Sequence, residues 1–226
     1  MSNKSNFIFK VSSEDRKEAI DKIINSSSPR QSFFLMVILA AIIATLGLFS
    51  NNVAVVIGAM LVSPILSPVL SLSLGIVLAD FLLVVRSLFV ILKTLLAILA
   101  FSFIIAIFIP FGDYSAIFSN NQPSLLHFYI ALAAGVAASL AIVKKELSEF
   151  LPGTIIAVAL LPPLCNISIG LRMWRLPDMI NSFELFLINI VGIIFASVLI
   201  FSLLGFYSQR REANKAIIEE KKELGK

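Results

Sequence analysis

Charged residues are scarce in this sequence. Asp, Glu, Lys and Arg make up only 14% of the 226 residues, whereas 58% are hydrophobic. Soluble domains carry about 25% charged residues, so this composition excludes an ordinary soluble fold and predicts an integral membrane protein. The formal net charge of +4 does not indicate a nucleic-acid partner, because the basic residues are dispersed over loops and termini and form no single patch. We expect the lipid bilayer, and no nucleic acid, as the partner of this chain.

Cysteine and histidine are almost absent. With Cys165 as the one cysteine, a disulfide within the chain is excluded. With His127 as the one histidine, a transition-metal site within one subunit is not expected. The sequence also lacks HExxH and GxSxG motifs and the paired aspartates that would mark a membrane hydrolase or phosphotransferase. We therefore predict no metal, no cofactor and no enzyme activity.

Acidic residues are missing from the middle of every long hydrophobic run. Asp80, Glu149 and Glu184 all lie near predicted membrane ends, and His127 lies near the outer end of its run. Proton-coupled pumps place Asp, Glu or His within their membrane spans. Coupling to protons through a buried carboxylate is therefore disfavoured.

Long apolar segments are abundant. Each is close to or above the ~20 residues that a helix needs to cross the hydrocarbon core. The predicted spans are residues 33–49, 53–79, 87–109, 125–143, 151–171 and 183–206. The predicted fold class is therefore all-α, a polytopic integral membrane protein with six transmembrane helices in one domain over residues 31–207.

Polar segments flank this domain. Residues 1–30 form a basic arm in which Ser12 and Asp15 have the spacing of a capping box. Apolar residues of the arm recur at helical spacing. They are Ala19, Ile20, Ile23 and Ile24. We expect this arm to form a cytosolic or interfacial helix against the membrane or a neighbouring subunit, and residues 208–226 to form a charged cytosolic tail helix.

The basic residues predict the orientation. If the N-terminus is inside, sixteen Lys and Arg residues lie in cytoplasmic segments, and only Arg172 and Arg175 lie outside. Cytoplasmic loops of membrane proteins carry an excess of Lys and Arg. We therefore predict a multi-pass protein of the cytoplasmic (inner) membrane with both termini in the cytoplasm.

Proline interrupts two of the predicted spans. The run LPGTIIAVALLPPLCNISIGL, residues 151–171, has Pro162 and Pro163 at its middle, and the second span contains Pro64 and Pro68. Proline lacks a backbone N–H and clashes with the carbonyl four residues back. In lipid, the freed backbone groups need protein partners or a cavity. The second and fifth helices are therefore predicted to be broken near the bilayer midplane.

The order of span, broken span and span occurs twice, in residues 31–110 and 124–207. The broken spans align without a gap, so that SLSLGI at residues 71–76 matches NISIGL at residues 166–171. Because each unit has three spans, the two units cross the membrane in opposite senses. The sequence thus predicts an inverted three-plus-three repeat, an arrangement in which transporters place substrate sites at broken helices near the midplane.

Candidate binding residues surround the two breaks. They would form a neutral patch near the midplane: Ser63, Pro64, Ser67, Pro68, Ser71, Ser73, Pro162, Pro163, Asn166 and Ser168. A half-helix that begins near Pro163 would favour an anion through its positive end. A half-helix that ends near Leu161 would offer bare carbonyls to a cation. Alternatively, the hydroxyls only satisfy backbone carbonyls that proline has freed.

Two segments also carry a family resemblance. GAMLVSPILSPVLSLSLGI at residues 58–76, followed by LPGTIIAVALLPPLCNISIGL at residues 151–171, resembles a pair of motifs in one family. It comprises the bacterial and archaeal hydrophobic membrane proteins grouped as domain of unknown function 389. The resemblance covers residues 33–206. It implies a polytopic membrane fold but supplies no settled substrate or catalytic residue.

Two functions are compatible with these patterns. The first is movement of a small solute or ion through a midplane site, by a carrier or a channel. The second is a non-transporting membrane scaffold or partner-binding module whose prolines only shape the fold. Small residues at helical spacing, such as Ala40 and Ala44, let helices approach closely. With the short connection at residues 50–52, they favour a homo-oligomer.

Overall fold

A computed structural model describes residues 11–110, 112, 114–118, 122–144, 146–147, 160–209, 213 and 215–218. None of these residues lies in a β-strand, and most are helical. The helices are α1 (Ser13–Ser26), α2 (Gln31–Phe49), α3 (Val53–Val62), α4 (Leu66–Val77), α5 (Phe81–Phe108), α6 (Ser115–Phe118), α7 (Leu125–Val143), α8 (Leu161–Arg172) and α9 (Leu176–Leu203), followed by the 3₁₀ turn Phe206–Ser208. The all-α prediction is confirmed for the described residues.

Four of these helices, α2, α5, α7 and α9, are long and apolar enough to cross a membrane. α3 and α4 together make a fifth candidate span, bent by 50° at a short break. Large apolar side chains such as Phe89, Phe108 and Phe195 are more than half exposed, as expected of surfaces that face lipid. The protein is therefore a multi-pass α-helical membrane protein. Residues 151–159, the first part of the predicted fifth span, lie outside the described residues, so the count of six spans stays a prediction.

Two long helices begin earlier than the predicted spans. α5 begins at Phe81, where the prediction has residue 87, and α9 begins at Leu176, where the prediction has residue 183. Asp80 caps α5 by accepting a hydrogen bond from the backbone N–H of Leu83 at 3.1 Å. Pro177 lies in the first turn of α9, a position where proline is favoured. Residues that suggest loops in the sequence, an aspartate and a proline, thus lie at the starts of helices.

The break between α3 and α4 follows from Pro64. A residue that precedes proline is disfavoured in the α region, and Ser63 accordingly is extended, with φ −75° and ψ 122°. Pro64 also has no N–H to donate to the Met60 carbonyl four residues back. Pro68 lies in the first turn of α4, where a backbone N–H would have no intrahelical partner. The second predicted span is therefore broken at Pro64 and tolerates Pro68.

Three helices end in the same tight turn. The residue after the C-cap is left-handed, with φ between 49° and 55°. These residues are Asn51, Ala79 and Trp174. The next N–H donates to the carbonyl of a glycine five residues back, at 2.9 to 3.0 Å. The glycines are Gly47, Gly75 and Gly170. A Cβ on any of them would come within 3.0 Å of a side chain in the following helix, so glycine lets α3, α5 and α9 fold back closely.

α4 and α5 recur as α8 and α9 at a constant interval. α4 and α8 each have 12 residues, and α5 and α9 each have 28. Adding 95 to the bounds of the first pair gives the bounds of the second. α2 and α7 each have 19 residues and are offset by 94. The gapless alignment of residues 71–76 with residues 166–171 has the same interval of 95.

The buried faces of α2 and α7 coincide at their offset. α2 buries Val37, Ala40, Ala41, Ala44 and Thr45, and α7 buries Ala131, Ala134, Gly135, Ala138 and Ser139. The Thr45 hydroxyl donates to the Ala41 carbonyl at 2.7 Å, and the Ser139 hydroxyl donates to the Gly135 carbonyl at 2.8 Å. The residue types differ, but the same positions of both helices face the core.

Small residues bring helices of this one chain into close contact. A Cβ on Gly135 would lie 2.8 Å from the Ala196 Cβ, and one on Gly192 would lie 2.7 Å from the Ala131 Cβ. α7 and α9 therefore pack at very short range. α5 contacts α8, and α9 contacts α4. These small-residue contacts lie within one chain, and the homo-oligomer stays a prediction.

α1 packs against helices of its own chain. The predicted capping box is present: the Asp15 N–H donates to Ser12 Oγ at 3.0 Å, and the Ser12 N–H donates to Asp15 Oδ2 at 3.2 Å. The apolar stripe, with Ile20 at 0% exposure, is buried, and α1 contacts α4 and α7. Arg86 of α5 donates to the Ile24 carbonyl at 3.4 Å. α1 thus lies against the bundle, where the sequence predicts contact with the membrane or another subunit.

Candidate functional site

A cleft of about 180 Å³ opens beside the turn between α2 and α3. Gly47, Asn51 and Asn52 line it at the turn, and Pro162 and Asn166 line it from α8. In the predicted orientation, this turn is at the extracytoplasmic end of the bundle. The cleft therefore extends from this turn to the start of α8.

Asn166 is a buried polar residue of this cleft. Its side chain is 1% exposed, and its Oδ1 has no hydrogen-bond partner in the described part of the chain. Buried polar groups are almost always hydrogen-bonded, and an unpaired one costs roughly 1–3 kcal/mol. Because Asn166 borders the cleft, a ligand or a water molecule there can supply the missing partner.

Two helices begin at the cleft. Asn52 caps α3 by accepting a hydrogen bond from the Val55 N–H at 3.3 Å, and Val53, the first residue of α3, lines the cleft. α8 begins at Leu161, and its second residue, Pro162, lines the cleft from the other side. The start of a helix carries the equivalent of about half a positive elementary charge. The positive starts of α3 and α8 and the negative end of α2, whose last turn contributes Gly47 and Leu48, therefore meet at this cleft.

The prolines of α8 reduce its hydrogen-bond donors. Pro162 and Pro163 are the second and third residues of the helix, and neither has a backbone N–H. α8 therefore lacks some of the unpaired backbone N–H donors that an ordinary helix start provides. The predicted half-helix near Pro163 exists and keeps its dipole, but a ligand there depends mainly on side chains for hydrogen bonds. The predicted carbonyl end before Leu161 falls in residues 151–159, outside the described residues.

Three of the predicted serines are hydrogen-bonded within the protein. Ser73 donates to a backbone carbonyl one turn back in α4 at 3.0 Å. Ser71 accepts a hydrogen bond from the Ser87 hydroxyl of α5 at 2.9 Å. Ser168 donates to the Leu99 carbonyl of α5 at 2.9 Å. These bonds keep the three hydroxyls inside the bundle, but neither the Val69 nor the Leu99 carbonyl lies four residues before a proline, so the alternative in which serines satisfy proline-freed carbonyls stays a prediction.

The candidate residues do not share one level of the bundle. Ser71 bonds α5 at Ser87, whereas Ser168 bonds α5 at Leu99, 12 residues further along. At 1.5 Å per residue, these two levels are about 18 Å apart along α5. The structure therefore separates the predicted patch into a part on α4 and a part on α8.

The break between α3 and α4 holds the other candidates. Ser63 is 3% exposed, and its hydroxyl has no hydrogen-bond partner among the described residues. Pro64 and Ser67 are half-buried, and Pro68 is buried. None of these four residues lines the cleft at Asn166. Ser63 is thus a second unpaired polar group, separate from the cleft.

Asn51 and Asn52 are not among the predicted site residues. In the sequence they belong only to a short connection, residues 50–52. Their place opposite Pro162 depends on the packing of α2 against α8, which no local pattern reveals. The sequence signal that could have indicated them is the pair of adjacent carboxamides at a predicted outer turn.

Cys165, one residue before Asn166, is buried and accepts a hydrogen bond from Ser102 at 3.3 Å. Within the described residues, no group of three His, Cys, Asp or Glu side chains is arranged to hold a metal ion. The absence of a metal, a cofactor and an enzyme activity stays a prediction.

Comparison with known proteins identifies relatives without a known activity. Residues 60–195 match the family model described as domain of unknown function (DUF389), which confirms the resemblance of the proline motifs. An uncharacterised protein of Methanocaldococcus jannaschii is 30% identical over 210 residues, which cover 88% of this chain. The chain spans 65% of the length of that relative. No solved structure matches the chain.

Proposed function

Since the chain belongs to the DUF389 family, whose description gives no function, we propose from its own geometry that it moves a small solute or ion across the membrane. One observation carries this proposal: the open cleft is bordered by Asn166, a buried amide with an unpaired Oδ1. Ligand sites combine a mostly apolar lining with a few placed polar groups. In a scaffold, the unpaired amide would only reduce stability.

The proposal includes an inverted three-plus-three repeat. The constant interval of 95 residues, the equal helix lengths and the shared turns at Ala79 and Trp174 support it. In such a repeat, one unit of three spans contains α2 to α5, and the other contains α7 to α9 with residues 151–159. The second unit has the opposite orientation in the membrane. This gives six spans in the cytoplasmic membrane with both termini inside.

An inverted repeat supplies a route for transport. Transporters of this design bind near the midplane, at the ends of half-helices, and open to one side at a time. The cleft at Asn166 is the outer access path in this scheme. The inner path passes Ser71, the residue 95 positions earlier, whose hydroxyl is bonded to Ser87 at 2.9 Å. An outer path that is open and an inner path that is closed describe one state of a carrier.

The second candidate function is a non-transporting scaffold or partner-binding module. It is favoured by the hydrogen bonds of Ser71, Ser73 and Ser168, which are satisfied inside the bundle. In this alternative the prolines shape the fold and nothing passes the break. The two functions differ in what occupies the cleft beside Asn166.

A flux assay on the full chain in liposomes tests the proposal, with a panel of small anions, cations and neutral solutes. Asn166→Leu is expected to lower the flux of the transported species about tenfold or more, because it removes a hydrogen bond to the cargo. Ser197→Ala is the matched control: Ser197 is a buried hydroxyl without a partner in the described chain, and it does not line the cleft. Unchanged flux in Asn166→Leu would exclude the site, and no flux for the whole panel would favour the scaffold.

A further inference from the structure

We propose that the cleft beside Asn166 binds a small uncharged solute with both a hydrogen-bond donor and an acceptor, such as urea, a short amide or a small polyol. This inference names the class of cargo for the proposed transport site and therefore rests on the proposed function. It follows from the uncharged lining of the cleft, from helix ends that offset one another there, and from the amide of Asn166.

The described lining of the cleft carries no charged side chain. Its polar side chains are the carboxamides of Asn51, Asn52 and Asn166, and the other described lining residues are glycine or apolar. An ion that leaves water needs an opposite charge in its site, because the loss of its hydration is costly. Neither a cation nor an anion finds such a charge among the described residues of this cleft.

The helix ends at the cleft do not replace a charged side chain. Gly47 and Leu48 belong to the last turn of α2, and Val53 begins α3. A helix end carries about half a negative charge and a helix start about half a positive charge, so these two neighbours offset each other. The start of α8 disfavours a cation, yet Pro162 and Pro163 give it no N–H at these positions to hold an anion.

The Asn166 amide suits an uncharged ligand of both hydrogen-bonding types. Its side chain is 1% exposed, and its Oδ1 has no partner in the described chain. A carboxamide has two N–H donors and one carbonyl acceptor, and half a turn about the Cβ–Cγ bond exchanges its two ends. A solute that carries both a donor and an acceptor, as urea and amides do, forms a hydrogen bond with either end.

The size of the cleft limits the solute. Its volume of about 180 Å³ is below the roughly 300–1,000 Å³ of sites for drug-sized ligands, so the solute has few non-hydrogen atoms. Asn52 uses its Oδ1 to cap α3 through the Val55 N–H at 3.3 Å, which leaves its NH₂ group as a donor at the mouth. The carboxamides of Asn51 and Asn52 can therefore replace part of the hydration of an entering solute.

Binding is measured apart from transport by the alkylation rate of a cysteine in the cleft. In a Cys165→Ala background, Val53→Cys puts a thiol at an exposed lining position, and Ser13→Cys puts one at an exposed position of α1. The purified full chain in detergent reacts with a maleimide in a concentration series of acetamide. Sucrose and sodium chloride at equal osmolarity are the comparison solutes, because sucrose is too large and sodium chloride is ionic.

Acetamide should slow the labelling of Val53→Cys, by about twofold where half of the sites are occupied, and should leave Ser13→Cys unchanged. Sucrose and sodium chloride should slow neither. Asn166→Leu should remove the protection, and Ser197→Ala should keep it, since Ser197 does not line the cleft. Equal rates in acetamide and sucrose would overturn the inference, as would equal protection by sodium chloride or protection that persists in Asn166→Leu. The solute comparison keeps Asn166 intact, so it decides even where Asn166→Leu fails to fold.

Flux in liposomes separates this inference from the proposed function. The re-swelling of shrunken liposomes in urea, acetamide or glycerol reports entry of the uncharged solutes. Protection by acetamide without flux of any solute would support the site and contradict transport. Flux of an ion, with no protection by acetamide, would support transport and contradict the uncharged cargo.

Discussion

Asn166 and Ser71 occupy the same position, the sixth residue, of two 12-residue helices that lie 95 residues apart in the chain. Both are buried, yet their polar atoms differ. The Ser71 hydroxyl is bonded to Ser87 at 2.9 Å, whereas Asn166 Oδ1 has no partner among the described residues and borders an open cleft. The two halves of the bundle are thus alike in backbone and unlike in how they satisfy one equivalent polar group.

Ser87→Ala tests that difference. It should lower the free energy of unfolding by about 0.5–1.5 kcal/mol, because it leaves the Ser71 hydroxyl buried without its donor. Unfolding in mixed micelles measures the change. In a double-mutant cycle, Ser71→Ala should add almost nothing to Ser87→Ala. Additive losses would show that the two hydroxyls are not coupled.

Gly192→Val probes the contact between α7 and α9. The new side chain would collide with Ala131, since a Cβ alone would lie 2.7 Å from the Ala131 Cβ. We expect a loss of about 1–3 kcal/mol in the free energy of unfolding. Gly58→Ala is the control, because nothing lies within 4 Å of its Cβ position. Because alanine is a better helix former than glycine, Gly58→Ala in the interior of α3 should stabilise the protein by up to about 1 kcal/mol.

Ile20→Ala tests whether α1 is part of the bundle. Ile20 is fully buried, and its truncation should cost about 2–5 kcal/mol if the site cannot collapse. Ser13→Ala, at an exposed position of the same helix, should change the free energy of unfolding by less than about 0.5 kcal/mol. A similarly small effect of Ile20→Ala would mean that α1 does not pack on the bundle in the membrane.

Cysteine labelling tests the inverted repeat. Ala79 and Trp174 are exposed, end equivalent helices and lie 95 residues apart. In a Cys165→Ala background, Trp174→Cys should react with a membrane-impermeant maleimide in intact cells, and Ala79→Cys only after permeabilisation. Labelling of both residues from the same side would contradict the inversion but leave the helices unchanged.

The sequence predicts much of the fold because proline and hydrophobic length act locally. Pro64 breaks its span at the residue before it, as backbone sterics require, and the interval of 95 residues is visible in residues 71–76 and 166–171. α5 and α9 begin six and seven residues before the spans predicted for them. Asp80 and Pro177, which look like loop residues, instead lie at the N-cap of α5 and in the first turn of α9.

The candidate site is predicted less well than the fold. Its central residue, Asn166, stands out as an amide within a hydrophobic run, but the two asparagines of the α2–α3 turn do not. Their contribution depends on which helices pack together, and long-range packing leaves no local pattern. Ser71 and Ser168 look alike in the sequence, and only the structure shows that they bond to residues of α5 that lie about 18 Å apart along that helix.

The proline pair of α8 has a consequence for how the cleft can close. When the start of a helix loses its water in hydrocarbon, backbone N–H groups that were hydrogen-bonded to water are normally left without partners. Pro162 and Pro163 have no backbone N–H that could be left without a partner. Dehydrating this end of α8 therefore leaves fewer peptide groups without a partner than at an ordinary helix start, so neighbouring helices can close over it at a lower cost.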